Sequence, residues 1–161
     1  MDAAAGLFSE LGFERTSMAR IAKAADVTPT TIYWYVADKD ALLVEVLDHL
    51  LAAALQEFAA EEHGSLVDQV AWALDRLQRH RGLINVVHTR SEQSATVAAW
   101  HDRFHTLVDA IVVDGLARQG VAERDRETIA RLTTFTVEGL LAHPTDAAAA
   151  RAMLELALPG P

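Results

Sequence analysis

The sequence contains no cysteine, and that one absence removes several chemistries together. Disulfides, thiolate metal sites and cysteine nucleophiles are excluded, and the composition fits a reducing compartment. Long apolar runs are missing too. No stretch approaches the roughly 20 residues that span a bilayer, and Met1 to Phe8 reads as the middle of an amphipathic helix, not as a secretory leader. The expected location is therefore the cytoplasm, at the nucleoid, with no membrane partner. Positive charge is also scarce: Lys and Arg number 14 against 23 Asp and Glu, a net charge of −9. A protein that coats nucleic acid through bulk charge is excluded, whereas a DNA reader with few, local contacts is not. Strand-like alternation, internal repeats and low-complexity linkers are absent. So are a glycine-rich phosphate loop, a carboxylate pair and a nucleophile constellation, so an enzyme is not expected, nor a cofactor.

What remains is helix. The chain has 161 residues, 51% of them hydrophobic, enough for one or two compact domains. Apolar spacing predicts an all-α fold of about nine helices. Leu7, Phe8 and Leu11 share one face of a first helix that stops at Gly12. Thr16-Ser17 signals the start of a second, Met18 to Ala25, with Met18, Ile21, Ala22 and Ala25 as its buried face. Asp26 supplies a tight turn and Val27 is expected to close it inward. Thr28 then caps a helix whose first position is Pro29. Thr30, Thr31, Tyr33, Trp34 and Tyr35 are poor helix formers, which points to side chains kept for another purpose, while Ile32 and Val36 face the core. Asp38 caps a long helix running to about Glu61. Further helices are expected at Leu66 to Arg81, Leu83 to His88, Ser94 to Gln119, Glu123 to Ala142 and Thr145 to Leu158. Two short helices around a tight turn form a helix-turn-helix, whose second helix enters the DNA major groove. The expected division is a DNA-binding domain at 1–46 and a ligand-binding and dimerisation domain at 47–161.

The chain resembles the Tet-repressor family of bacterial transcriptional regulators. The resemblance is carried by Gly12-Phe13-Glu14-Arg15-Thr16-Ser17-Met18, by Ile21-Ala22-Lys23-Ala24-Ala25-Asp26-Val27, and by Thr31-Ile32-Tyr33-Trp34-Tyr35-Val36 with Asp38-Lys39-Asp40-Ala41-Leu42-Leu43. It implies a homodimeric repressor that binds a palindromic operator in double-stranded DNA and leaves it when a small-molecule effector enters the larger domain. Thr28, Thr30, Thr31, Tyr33, Trp34 and Tyr35 match the family's recognition positions, Lys39 its phosphate-contacting lysine, and Ser17 a helix cap that reaches a phosphate. Arg20 stands where the family usually has an acid, and a nearby phosphate would offset its poor match to the helix dipole. Two features depart further. The recognition helix has no Arg, Asn or Gln, the usual base readers. Residues 1–46 hold four basic side chains (Arg15, Arg20, Lys23, Lys39) against seven acidic ones. Family members carry further, often basic, residues before the equivalent of Ala3. Two readings stay open: a start internal to the natural protein, or weak, salt-sensitive binding. The alternative function is a dimeric small-molecule sensor or interaction protein with weak or lost DNA binding.

In the remaining two thirds, Phe58, Trp72, Asn85, His88, Trp100, His101 and Phe104 combine apolar walls with a few polar groups, as an apolar or aromatic effector requires. His101 and His105 have the i, i+4 spacing of metal ligands but lack the glutamate of a metallopeptidase, and no metal is assigned. Phe135, Gly139, Leu140, Ala147, Met153 and Leu154 on the last two helices suit a four-helix interface between two copies.

Overall fold

The computed structural model describes residues 1–158, and these form nine α-helices and no strand. They are α1 (Asp2–Leu11), α2 (Met18–Ala24), α3 (Pro29–Tyr33), α4 (Lys39–Ala60), α5 (Leu66–Arg79), α6 (Arg81–Ser91), α7 (Ala95–Arg118), α8 (Glu123–Ala142) and α9 (Ala147–Ala157). The expected all-α class and helix order are observed. Among the described residues no helix is long and apolar enough to cross a membrane.

The helices divide into two compact units, drawn differently from a simple cut after residue 46. One comprises Met1–Glu61 with His80–His101, the other Glu62–Arg79 with the chain from Asp102 onward. Helix α7 thus gives its first seven residues, Ala95 to His101, to the first unit and the rest to the second.

In the first unit α1 packs on α2, α4 and α6. Its core includes Phe8, Phe13, Ile21, Leu43, Val46, Leu83 and Val97, all at most 4% exposed. Phe8 and Phe13 meet with ring centroids 5.3 Å apart. Between α1 and α2 the chain turns at Gly12, whose φ of 81° is costly for any residue with a Cβ. Thr16, fully buried, donates its hydroxyl to the Gly12 carbonyl at 2.8 Å and ties that turn down. A buried hydroxyl needs such a partner, and Thr16 is therefore a core residue as well as a helix-start signal.

The second unit is built from α5, the remainder of α7, α8 and α9, around Leu66, Val112, Leu116, Ala130, Thr133 and Leu154. Gly115 lets α7 approach α5, since a Cβ there would stand 2.7 Å from Leu66 Cδ1. Ser65 and Asp68 cap α5 reciprocally: Asp68 Oδ2 accepts from the Ser65 amide and hydroxyl at 2.8 Å. Arg151 of α9 donates to the other oxygen of Asp68 at 2.8 Å. The Ser65 and Arg151 donors hold the Asp68 carboxyl down to about 2.

Six expectations of detail are corrected. Helix α3 ends at Tyr33, α6 extends over Arg81–Ser91, and α9 is capped by Asp146, not started at Thr145. Ala25 is exposed, Val27 is 41% exposed and Ile32 is only half-buried. The reason lies in how the α2–α3 turn is closed. The Val27 amide donates to Ala22 O and the Asp26 amide to Lys23 O, with Asp26 at φ 54°, a Schellman ending made entirely by backbone. No inward side chain is needed at residue 27.

Candidate functional site

Helix α3 begins with Thr28 at its N-cap, accepting from the Thr31 amide at 3.2 Å, and Pro29 in its first turn. The two hydroxyls of Thr28 and Thr31 also bond each other at 2.9 Å, so their polar atoms are engaged within the helix. Beyond Tyr33 the chain stays right-handed at Trp34, which donates its amide to Ile32 O. Residues 30, 33 and 34 therefore lie one turn apart on a common face. All three are exposed, Tyr33 at 50% and Trp34 at 82%. Tyr35 is also 82% exposed, whereas Val36 is buried and anchors the end of the segment. Of the recognition positions, the structure thus brings Thr28, Thr30, Tyr33, Trp34 and Tyr35 to solvent, and leaves Thr31 half-buried. Packing of Trp34 or Tyr35 into the core is not what the structure has.

The nearby cations are turned toward the protein's own backbone. Lys39 donates to Phe13 O at 2.9 Å and lies 4.1 Å from the centre of the Phe13 ring. Arg15 Nε donates to Leu11 O at 2.8 Å, and Arg20 reaches Arg15 O at 3.5 Å. Ser17 caps α2 by accepting from the Arg20 amide at 3.2 Å. Ser17 and Arg20 remain exposed, while Lys39 is half-buried.

Behind this head stands an ion pair that local sequence chemistry does not reveal. Arg90, near the end of α6, donates Nε and Nη2 to the two oxygens of Asp40 at 3.1 and 2.6 Å. Both side chains are about 20% exposed, and the guanidinium also lies 5.2 Å from the Phe13 ring and 3.8 Å from Glu14. Asp40 holds the Arg90 pKa above its already high ordinary value. Asp40 reads from sequence only as a first-turn charge on α4. Its partner lies 50 residues away.

The expected effector residues fall in both units. Phe58, Asn85, His88, Trp100 and His101 belong to the first, Trp72 and Phe104 to the second. In the first unit His88 and His101 meet edge to face, ring centroids 5.1 Å apart. Trp100 is buried and donates its indole N–H to Asp48 of α4 at 2.6 Å. Phe58 is half-buried and Asn85 exposed. In the second unit Trp72 packs edge-on to His63 and under the Arg76 guanidinium, and Phe104 contacts the His105 ring. His105 lies 3.2 Å from Glu138.

On the second unit, α8 and α9 border an open groove of about 500 Å³. Leu132, Phe135, Gly139, Leu140, Met153 and Leu156 line it. Phe135 is 62% exposed, Met153 47% and Leu156 87%. Of the expected interface residues, Phe135, Gly139 and Met153 are at this surface and Ala147 is exposed. Leu140 is mostly buried at the groove wall, and Leu154, with no exposed surface, serves the unit's own core.

Residues 1–46 match the model of the bacterial regulatory proteins of the tetR family. The chain is 24% identical over 135 residues to the HTH-type transcriptional regulator YvdT of Bacillus subtilis, covering 76% of this chain and 68% of that one. The solved structure of Salmonella enterica GusR superposes with a TM-score of 0.74 at 28% identity, covering 98% of this chain and 92% of GusR. FadR of Bacillus subtilis, solved with stearoyl-CoA, shares the fold at a TM-score of 0.69 and 20% identity, over 99% and 96% of the two chains. Residues 1–46 thus match the tetR family of bacterial regulatory proteins, and the whole chain shares its fold with GusR and FadR.

Proposed function

We propose that this regulator is a repressor that works in the cytoplasm as a homodimer, binds a palindromic operator through α2 and α3, and leaves it when a small apolar or aromatic effector binds. The observation that carries the reading is the outward face of Thr30, Tyr33 and Trp34 on a helix that buries so little of itself. A helix with exposed rings and hydroxyls gains little from its own core and is suited to a groove that supplies the missing contacts. Residues 1–46 act as the DNA-binding domain and 47–161 as the effector and dimerisation domain. Tyr33, Tyr35 and Ser17 supply hydroxyls for phosphate, and Lys39 and Arg20 supply charge by exchanging a backbone carbonyl for a phosphate oxygen.

The dimer forms through the α8–α9 groove, with Phe135, Gly139 and Met153 facing their equivalents across a twofold axis. Two recognition helices then meet the DNA one turn apart, about 34–36 Å. His88 and His101 take part in effector binding, and His88 precedes Arg90 by two residues on α6. An effector that displaces His88 biases the last turn of α6, and through the Arg90–Asp40 pair it biases the start of α4 and the head. This is a shift between two populations and requires tighter effector binding in the DNA-free state.

Replacing Tyr33 tests the assignment. Tyr33→Ala is expected to lower operator affinity by at least tenfold in a gel shift, with circular dichroism and dimer mass unchanged. Unchanged affinity overturns the assignment of α3. One observation favours a second reading, a sensor with lost DNA binding: the acidic head turns three of its four cations onto its own carbonyls. Under that reading no operator complex forms even at low salt.

A further inference from the structure

The recognition surface also carries information about which base pairs it accepts. Bidentate reading of guanine or adenine needs a guanidinium or a side-chain amide, and α3 has neither. Two of its threonine hydroxyls are bonded to each other, and Thr28 also accepts from the backbone, so they are poorly placed to discriminate bases. Arg15 and Arg20 are held against carbonyl oxygens at the α1–α2 turn. Besides the capping Thr28 and Pro29, α3 offers outward a threonine, carrying a methyl and a hydroxyl, and two aromatic rings, at residues 30, 33 and 34. In the major groove one base alone presents an apolar group: thymine, through its C5-methyl.

Accordingly, we propose that Thr30, Tyr33 and Trp34 select operator half-sites by apolar contact with thymine methyl groups. This rests on the reading of α3 as the DNA-contacting helix and goes beyond it by naming the chemical feature that is read. Burial of a methyl group is worth roughly 0.8 kcal/mol, or about fourfold in affinity, so discrimination accumulates over several T·A pairs in place of one strong contact. A surface of this kind tells thymine from cytosine and from uracil.

The experiment uses the full chain and a random duplex library at low salt, with repeated selection of bound DNA. The expected half-sites fix two or more T·A pairs. Replacing thymine by deoxyuridine at those pairs is expected to weaken binding about fourfold per methyl. The same replacement in the flanking sequence leaves affinity unchanged. Thr30→Ser, an exposed and conservative change that removes a methyl and keeps the hydroxyl, is expected to make one fixed position indifferent to uracil. Half-sites fixed at G·C pairs, or equal binding of the uracil duplex, overturn the inference while leaving the DNA-binding reading intact. Failure to enrich any duplex overturns the DNA-binding reading itself, and the inference with it.

Discussion

Two parts of this molecule leave large apolar side chains in water, and they do so on opposite kinds of scaffold. At the head, Trp34 and Tyr35 project from the end of a five-residue helix that contains no fully buried side chain. On α8 and α9, Phe135, Met153 and Leu156 project from helices of 20 and 11 residues whose other faces supply a core. The first patch is mixed with hydroxyls and rings carrying polar edges. The second is an apolar groove. A wet, polar partner suits the first, because each ring there can remain partly solvated while its hydroxyl or indole N–H finds a phosphate. A dry interface suits the second, because contiguous apolar surface rimmed by polar groups gains most from another apolar surface.

The sharpest way to break the comparison is to place a charge in the groove. Phe135→Asp is expected to turn a dimer into a monomer, seen as a halved mass in sedimentation, with operator binding lost as a consequence. A central aromatic anchor commonly contributes 2 kcal/mol or more to such an interface. Helicity should be kept, because Phe135 is 62% exposed in the protomer. A dimer of unchanged affinity would assign the groove to another partner.

Smaller effects separate the supports of the two patches. Arg90→Ala removes the guanidinium that grips Asp40, a pair intermediate between an exposed and a buried ion pair. The expected cost is about 1–2 kcal/mol, read as a lowered midpoint in chemical denaturation. Because Asp40 sits in the first turn of α4, next to the capping Asp38, weaker operator binding should accompany it, while dimer mass should not change. The Asp68 tie between α5 and α9 supports the second patch and is sensitive to acid. Its pKa is lowered from 3.8 to about 2, so its contribution is present above about pH 4 and is lost as the pH falls from there through 2. Asp68→Asn should flatten the fall in thermal midpoint across that window and leave the midpoint near neutral pH only slightly lower.

What could be read from the sequence follows the distance between partners. Caps at Ser17, Thr28 and Asp38 involve residues three apart, and local chemistry is enough to find them. Helix order follows from spacing, and Pro29 and Gly12 mark their boundaries. Val27 defeats the pattern because a backbone motif closes its turn, leaving the side chain with no packing role. The pairs Arg90–Asp40 and Trp100–Asp48 span 50 and 52 residues, and nothing local in either segment names the other. They depend on how α6 and α7 lie against α4, which only the packed unit decides. Among the site residues, exposure was the missing quantity: Trp34 and Trp100 are the same amino acid, at 82% and 7% exposure.

Those tryptophans give the molecule its own optical labels. The chain has three, and each lies in a different medium: Trp34 in water at the recognition surface, Trp72 beneath the Arg76 guanidinium, and Trp100 bonded to a carboxylate within its unit. A neutral quencher dissolved in the buffer reaches the first freely and the third hardly at all. Emission from the outer indole therefore reports what covers the head, while the inner indole reports whether α4 and α7 stay joined. Intrinsic fluorescence can follow occupancy of the surface and integrity of the interior at once, without any dye.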